Sequence, residues 1–219
     1  MAWNGSDGKI NDNKELTKPV EKPVEVKPVE GKEPGKRHLD AQGRLLITDE
    51  GLDLLTHFEG CHDKAYVDPV GVITIGWGTI KYPDGRKVKI GETCTREQAR
   101  EWMFVDIWDD GAKYVRLFTV DAVENALTDR QFSALTSLTF NRGAGRFRDF
   151  ISPYLNKGDM GGTLLAIKSL NWAIKDGQKT YLLGLDRRRW AEAYMFQGRD
   201  WREFDTVAKF QAFKNRGYK

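Results

Sequence analysis

The chain has 219 residues, of which 40% are hydrophobic and 11% aromatic, enough to bury one domain-sized core and carry an appendage. A net charge of +3 without a dense basic stripe excludes a dedicated nucleic-acid binder, but it suits an anionic partner such as a bacterial cell wall. The two cysteines, Cys61 and Cys94, make neither a disulfide framework nor a zinc cluster, and no apolar run is long enough for a membrane span.

Along the chain, residues 1–43 read as a disordered Lys/Pro/Val/Glu-rich tail or linker, and 44–219 as one globular domain. Residues 18–30 run KPVE-KPVE-V-KPVE and are followed by GKEPGKR, so that Pro19, Pro23, Pro28 and Pro34 are spaced through alternating charges. Such a stretch buries too little apolar surface to offset its ordering entropy and favours extended polyproline II. The start, residues 1–19, shows no basic-then-apolar signal peptide, and residues 1–14 lie ahead of the repeats. Trp3 is the one anchor-like side chain there, in either a short docking peptide or a free terminus.

Thr48 is expected to cap a first helix with Asp49 and Glu50 in its first turn, where the dipole favours acids. Leu52, Leu55 and Phe58 continue one face of it, and Gly60 ends it. Residues 61–80 then change period, rich in β-branched and aromatic residues and broken by Asp68-Pro69, Gly71, Gly76 and Gly78. That pattern predicts a small antiparallel sheet. Beyond a polar loop at 83–85, Thr95 to Gln98 forms a capping box opening a long helix, and Thr128 to Gln131 forms another. Helical patterns follow near 149–157, 159–173, 184–197 and 200–213. The outline is α+β, mostly α, with the strands confined to one end.

The stretch 58–79 carries the chemistry. Glu59 stands at the negative end of a helix dipole, which favours the neutral carboxyl of a proton donor, while Asp68 lies in a wetter turn that favours its anion. Two carboxyls biased toward different protonation states are what glycosidic cleavage needs. By spacing alone the pair is ordinary solvated surface.

The residues themselves carry more. A helix ending in Glu59-Gly60, then Asp68, then Thr74-Ile75-Gly76-Trp77-Gly78 resembles the catalytic motif of the phage-type lysozymes, the glycoside hydrolase family that includes many bacteriophage endolysins. Downstream, Gln131 to Leu135, Phe140 to Gly145, Leu155 to Asp159 and Gly184 to Arg189 are also similar to that family, so the resemblance covers about 45–198. It departs at Thr79, where many members have histidine, and in the long segment 80–95.

The resemblance implies a lysozyme-like fold, with a small antiparallel β-sheet lobe and a helical lobe joined by a long helix. It also implies a muramidase that cuts the β-1,4 bond between N-acetylmuramic acid and N-acetylglucosamine in peptidoglycan. Glu59 is then the acid, with Asp68 and Thr74 assisting the attack of water. Gly78, Asn141, Gly143 and Arg187 are the expected substrate-binding or positioning residues, Arg187 as the arginine behind Glu59. Arg188 and Arg189 are equally readable as an exposed helix face, Trp77 as core or as a sugar platform, and Cys61 as a plain small residue or a redox device. No metal and no cofactor is expected, and His57 and His62 lack a third ligand. The expected state is a monomer made in the host cytoplasm and released to the wall by a holin or a delivery apparatus. The competing reading is a catalytically silent adaptor of the same fold that binds cell wall or a protein; others are a chitinase-like enzyme and a delivered toxin.

Overall fold

In the computed structural model residues 35–68 and 71–217 are described; the expectations for residues 1–34, including Trp3 and the proline repeats, lie outside them. Among the described residues, three two-stranded antiparallel sheets are set among helices. The first pairs β1 (Arg37–Leu39) with β2 (Leu45–Thr48). β1 thus lies inside the stretch 1–43 that composition assigns to the tail. Asp49 fastens it by accepting from the Lys36 amide and facing His38 Nε2 at 2.7 Å.

All four β2 side chains are buried, and Thr48 then caps α1 (Asp49–Glu59) by accepting from the Gly51 amide. Gly51 is required by close packing: a Cβ there would meet Ser133 Cβ at 2.6 Å, on the central helix α5 (Asp129–Arg142). Gly60, with φ of 71°, turns the chain out of α1 into β3 (His62–Val67), which pairs with β4 (Ile73–Gly76). Residues 92–94 run along the other side of β3, through a bridge between Lys64 and Thr93. This lobe has a small core of its own, Ile75, Tyr82 and Val88.

From Arg96 a continuous rod crosses to the helical part. It consists of α2 (Arg96–Ile107), a π-helical turn (Trp108–Ala112) and α3 (Lys113–Phe118), which bury Ala99, Met103, Ile107, Ala112 and Val115 along one side. Both predicted capping boxes are present, Thr95 with Gln98 and Thr128 with Gln131. Thr128→Ala should lower stability by about 1 kcal/mol, or roughly 2–4 °C in a thermal melt; an unchanged melt would mean the box contributes nothing.

α5 buries every residue from Phe132 to Thr139, the mark of a helix surrounded by protein. Around it lie the short helices α4 (Asp121–Glu124), α6 (Ala144–Arg146) and α7 (Ser152–Leu155), then α8 (Met160–Ser169) and α9 (Leu183–Phe196). A 3-10 turn (Trp201–Phe204) and α10 (Val207–Asn215) close the chain with an aromatic cluster of Trp190, Tyr194, Phe204, Phe210 and Phe213.

Two expectations need correction. The helix predicted over 159–173 stops at Ser169, and Trp172–Lys175 (β5) pairs with Gln178–Tyr181 (β6) as a hairpin. Its turn residues Asp176 and Gly177 both have positive φ, 50° and 75°, as a two-residue type I′ connection requires. For the same reason the strands are not confined to one end, because β5 and β6 sit against α5 and α6 through Trp172.

Candidate active site

Glu59 is the last residue of α1, with its side chain about a quarter exposed. Arg188 Nη1 donates to its Oε1 at 2.5 Å. That arginine is only 3% exposed, and three other contacts fix it: Glu192 at 3.1 Å and the carbonyl and hydroxyl of Ser137. Glu192 is fully buried and also takes Arg189 at 2.9 Å and the Ser137 hydroxyl at 2.9 Å. Arg189, fully buried too, donates to Asn141 Oδ1 at 3.0 Å. A buried polar network therefore runs from the candidate acid through α9 to Asn141 at the end of α5.

The arginine on Glu59 is thus Arg188 and not Arg187. Arg187 turns away, donates to the carbonyls of Phe204 and Asp205, and lies over the Phe58 ring at 4.6 Å. Helical phase explains the difference. The i to i+4 step from Arg188 and the i to i+3 step from Arg189 both reach Glu192, which draws these two inward. Neither belongs to an exposed helix face. The partner residues Glu192 and Ser137 were missed from the sequence, although a serine amid the apolar run of α5 is itself a sign of a buried polar partner.

Asp68 and Thr74 belong to the hairpin that follows Glu59. Asp68 is half-buried at the hairpin turn, and its Oδ1 accepts from the Val72 amide at 2.8 Å. Thr74 is buried, sits opposite Tyr66 in the β3–β4 register, and donates to the Val72 carbonyl at 3.3 Å. Gly76, with φ of 66°, lets β4 approach α2, for a Cβ there would stand 2.8 Å from Ala99 Cβ. Gly78 and Gly143 are exposed, and Gly143 ends α5 with φ of 80° just beyond Asn141.

Trp77 is core: 8% exposed, its Nε1 donates to the Thr56 carbonyl. Cys61 and Cys94 are free and half-buried, and burial pushes both thiols up. His57 Nε2 lies 2.7 Å from the Asp205 carbonyl, whereas the His62 ring packs at a tilt against Tyr66. Among the described residues no group of three or more His, Cys, Asp or Glu could hold a metal ion.

Thr79 is buried against α2 and donates to Asp106 Oδ2 at 2.9 Å. Burial pushes the Asp106 carboxyl up to about 6, with the Thr79 bond opposing and Asp110 and Asp109 adding to the rise. The folded protein therefore favours neutral Asp106. That contribution is complete below the ordinary value of 3.8 and is lost as pH rises through about 6. Asp106→Asn should raise stability at about pH 7.5 by about 1–2 kcal/mol, since solvent reaching the half-buried group screens part of the effect, and by little at about pH 4. An equal gain at both pH values would contradict this.

Residues 56–192 match the family described as Phage lysozyme. The endolysin of Acyrthosiphon pisum secondary endosymbiont phage 1 is 32% identical over 154 residues, covering 70% of this chain and 99% of that protein. Among solved structures, the endolysin from Escherichia coli O157:H7 phage FAHEc1 superposes with a TM-score of 0.61 at 32% identity, covering 68% of this chain and 92% of that one. The muramidase domain of SpmX from Asticaccaulis excentricus gives a TM-score of 0.60 at 28% identity, covering 68% and 96%.

Proposed function

The chain belongs to the phage lysozyme family, a lysozyme of the glycoside hydrolase class, and on that footing we propose that it is a muramidase with Glu59 as its acid. The substrate is the β-1,4 bond from N-acetylmuramic acid to N-acetylglucosamine in bacterial peptidoglycan. The observation that supports this most is the fixing of Glu59 at the end of α1 by Arg188, itself locked by buried Glu192 and Ser137.

In the reaction, Glu59 gives its proton to the glycosidic oxygen as the bond from the anomeric carbon breaks. Arg188 keeps the carboxyl aimed and faces the charge that proton loss leaves on it. The Asp68 carboxylate accepts a proton from the attacking water, and the Thr74 hydroxyl helps to position that water. Water arriving opposite the leaving group inverts the anomeric centre. Gly78, Asn141 and Gly143 line the sugar path, with Asn141 held by Arg189.

No helix among the described residues is long and apolar enough to cross a membrane. Access to the wall is proposed to follow release by a holin or a delivery apparatus, with the enzyme acting as a monomer. The reading is tested by reducing the fragments released from purified peptidoglycan with borohydride. Muramitol ends are the expected product; glucosaminitol ends, or cleavage of chitin in preference to murein, would point to a different glycosidase.

A further inference from the structure

Beside the polar network lies a group of cations that the chemistry at Glu59 does not use. Arg142, at the end of α5, Arg146, in α6, and Lys179, on β6, all converge on the indole of Trp172, at 5.4, 4.5 and 4.3 Å from its centroid. Lys179 reaches the ring diagonally across the hairpin, since its own opposite neighbour is Ile174. None of the three makes an ion pair among the described residues, and Arg142 Nε is buried with no hydrogen-bond partner among them.

Elsewhere among the described residues single cations such as Arg96 and Lys168 also lie over rings without an ion pair, but Trp172 gathers three. Arg116 faces Glu124, Arg130 faces Glu50, Arg188 and Arg189 share Glu192, and Arg202 faces Asp53. An aromatic ring offsets part of the repulsion between gathered cations, but it supplies no net negative charge. Burial and the neighbouring Arg146 both push the Arg142 guanidinium down, against a smaller opposing pull from Glu192. Lys179 is exposed and Arg146 half-buried, so the group opens to solvent.

Its position matters as much as its charge. Arg142 follows Asn141, which Arg189 holds; Arg189 shares Glu192 with Arg188, and Arg188 holds Glu59. A few contacts thus link the candidate acid to the cations. We propose that Arg142, Arg146 and Lys179 around Trp172 form an anion-binding site that takes the carboxylate or phosphate groups of the wall polymer and helps to seat the glycan for cleavage. This inference rests on the reading of the chain as a wall-cutting enzyme. The chemistry of the anion has two sources: carboxylates of the peptides carried by the glycan, and phosphodiesters of polymers attached to the wall.

The test compares the full chain with the double variant Arg146→Gln/Lys179→Gln and with the charge-keeping Arg146→Lys/Lys179→Arg. Three substrates are used: peptidoglycan freed of phosphate polymers, the same glycan with its peptides removed, and wall that retains its phosphate polymers. For the glutamine variant KM should rise about tenfold on the charged substrates while kcat stays within about twofold, and the charge-keeping variant should restore KM. A rise on the peptide-bearing, phosphate-free substrate identifies the carboxylates; a rise only where phosphate is retained identifies the phosphodiesters. Unchanged KM on both charged substrates, or an equal rise on the stripped glycan, overturns the site.

Pelleting with intact walls at low and high salt uses no catalysis and separates the two readings. If the wild type pellets in a salt-sensitive way that the glutamine variant loses, yet cuts nothing, the muramidase reading fails and the anion site stands. If the wild type cuts but the variant pellets and cuts equally well, the anion site fails alone.

Discussion

Glu192→Leu is expected to destabilise the protein by about 3–5 kcal/mol, the range for removing one partner of a buried ion pair. Glu192 is fully buried, and so is Arg189, while Arg188 is 3% exposed. Both guanidiniums place their charge on this one carboxylate. Burial already pushes Arg189 down to about 10, with Glu192 as the main opposing influence. Without Glu192, buried Arg189 would lose its carboxylate, Arg188 would keep only the Glu59 carboxylate, and the Ser137 hydroxyl would lose its acceptor. Glu192→Gln, which keeps the shape and one acceptor, should lose less. Urea unfolding of the three proteins measures the order directly; a loss below about 1 kcal/mol for Glu192→Leu would show that the network is relaxed by water or rearrangement. The same variant should also cut more slowly under conditions where it remains folded, because Arg188 loses the contact that aims it at Glu59.

How much of this could be read from the residues depends on the range of the interaction. Helix starts at Thr48, Thr95 and Thr128 were legible because a cap is made within three residues. So was the placement of Glu59, Asp68 and Thr74 on a helix end and the hairpin after it. The hairpin over 172–181 carries a strong local turn signal in Asp176-Gly177, but the helical pattern of α8 runs on into Trp172 and masks it. β1 was not legible: Arg37 to Leu39 is a short strand in a charged stretch, and only its pairing with β2 and the bonds to Asp49 define it. The choice among Arg187, Arg188 and Arg189 turned on helix rotation. Consecutive helical residues point about 100° apart, so the phase of α9 decides which arginine meets Glu59. Glu192, four residues after Arg188, was the available clue.

The second large effect concerns Glu59. Glu59→Gln removes the transferable proton and leaves a side chain of nearly the same shape that still accepts from Arg188. Arg188 keeps Glu192 and Ser137, so the variant should fold with a thermal midpoint within about 2–4 °C of the wild type. General acid catalysis by a positioned side chain supplies typically 10²–10⁴-fold, so hydrolysis should fall by about 10³-fold. Binding to wall should survive, because the groups proposed to seat the glycan are untouched. That combination of retained fold, retained binding and lost turnover separates a catalytic acid from a residue that only supports the network.

The most direct measurement is therefore the rate at which soluble muropeptides leave purified peptidoglycan, for the wild type and for Glu59→Gln side by side. Release by the wild type, falling about 10³-fold in a folded variant, is the predicted result. A variant within tenfold of the wild type, or a folded wild type that releases nothing, would contradict the assignment of Glu59 as the acid of a muramidase.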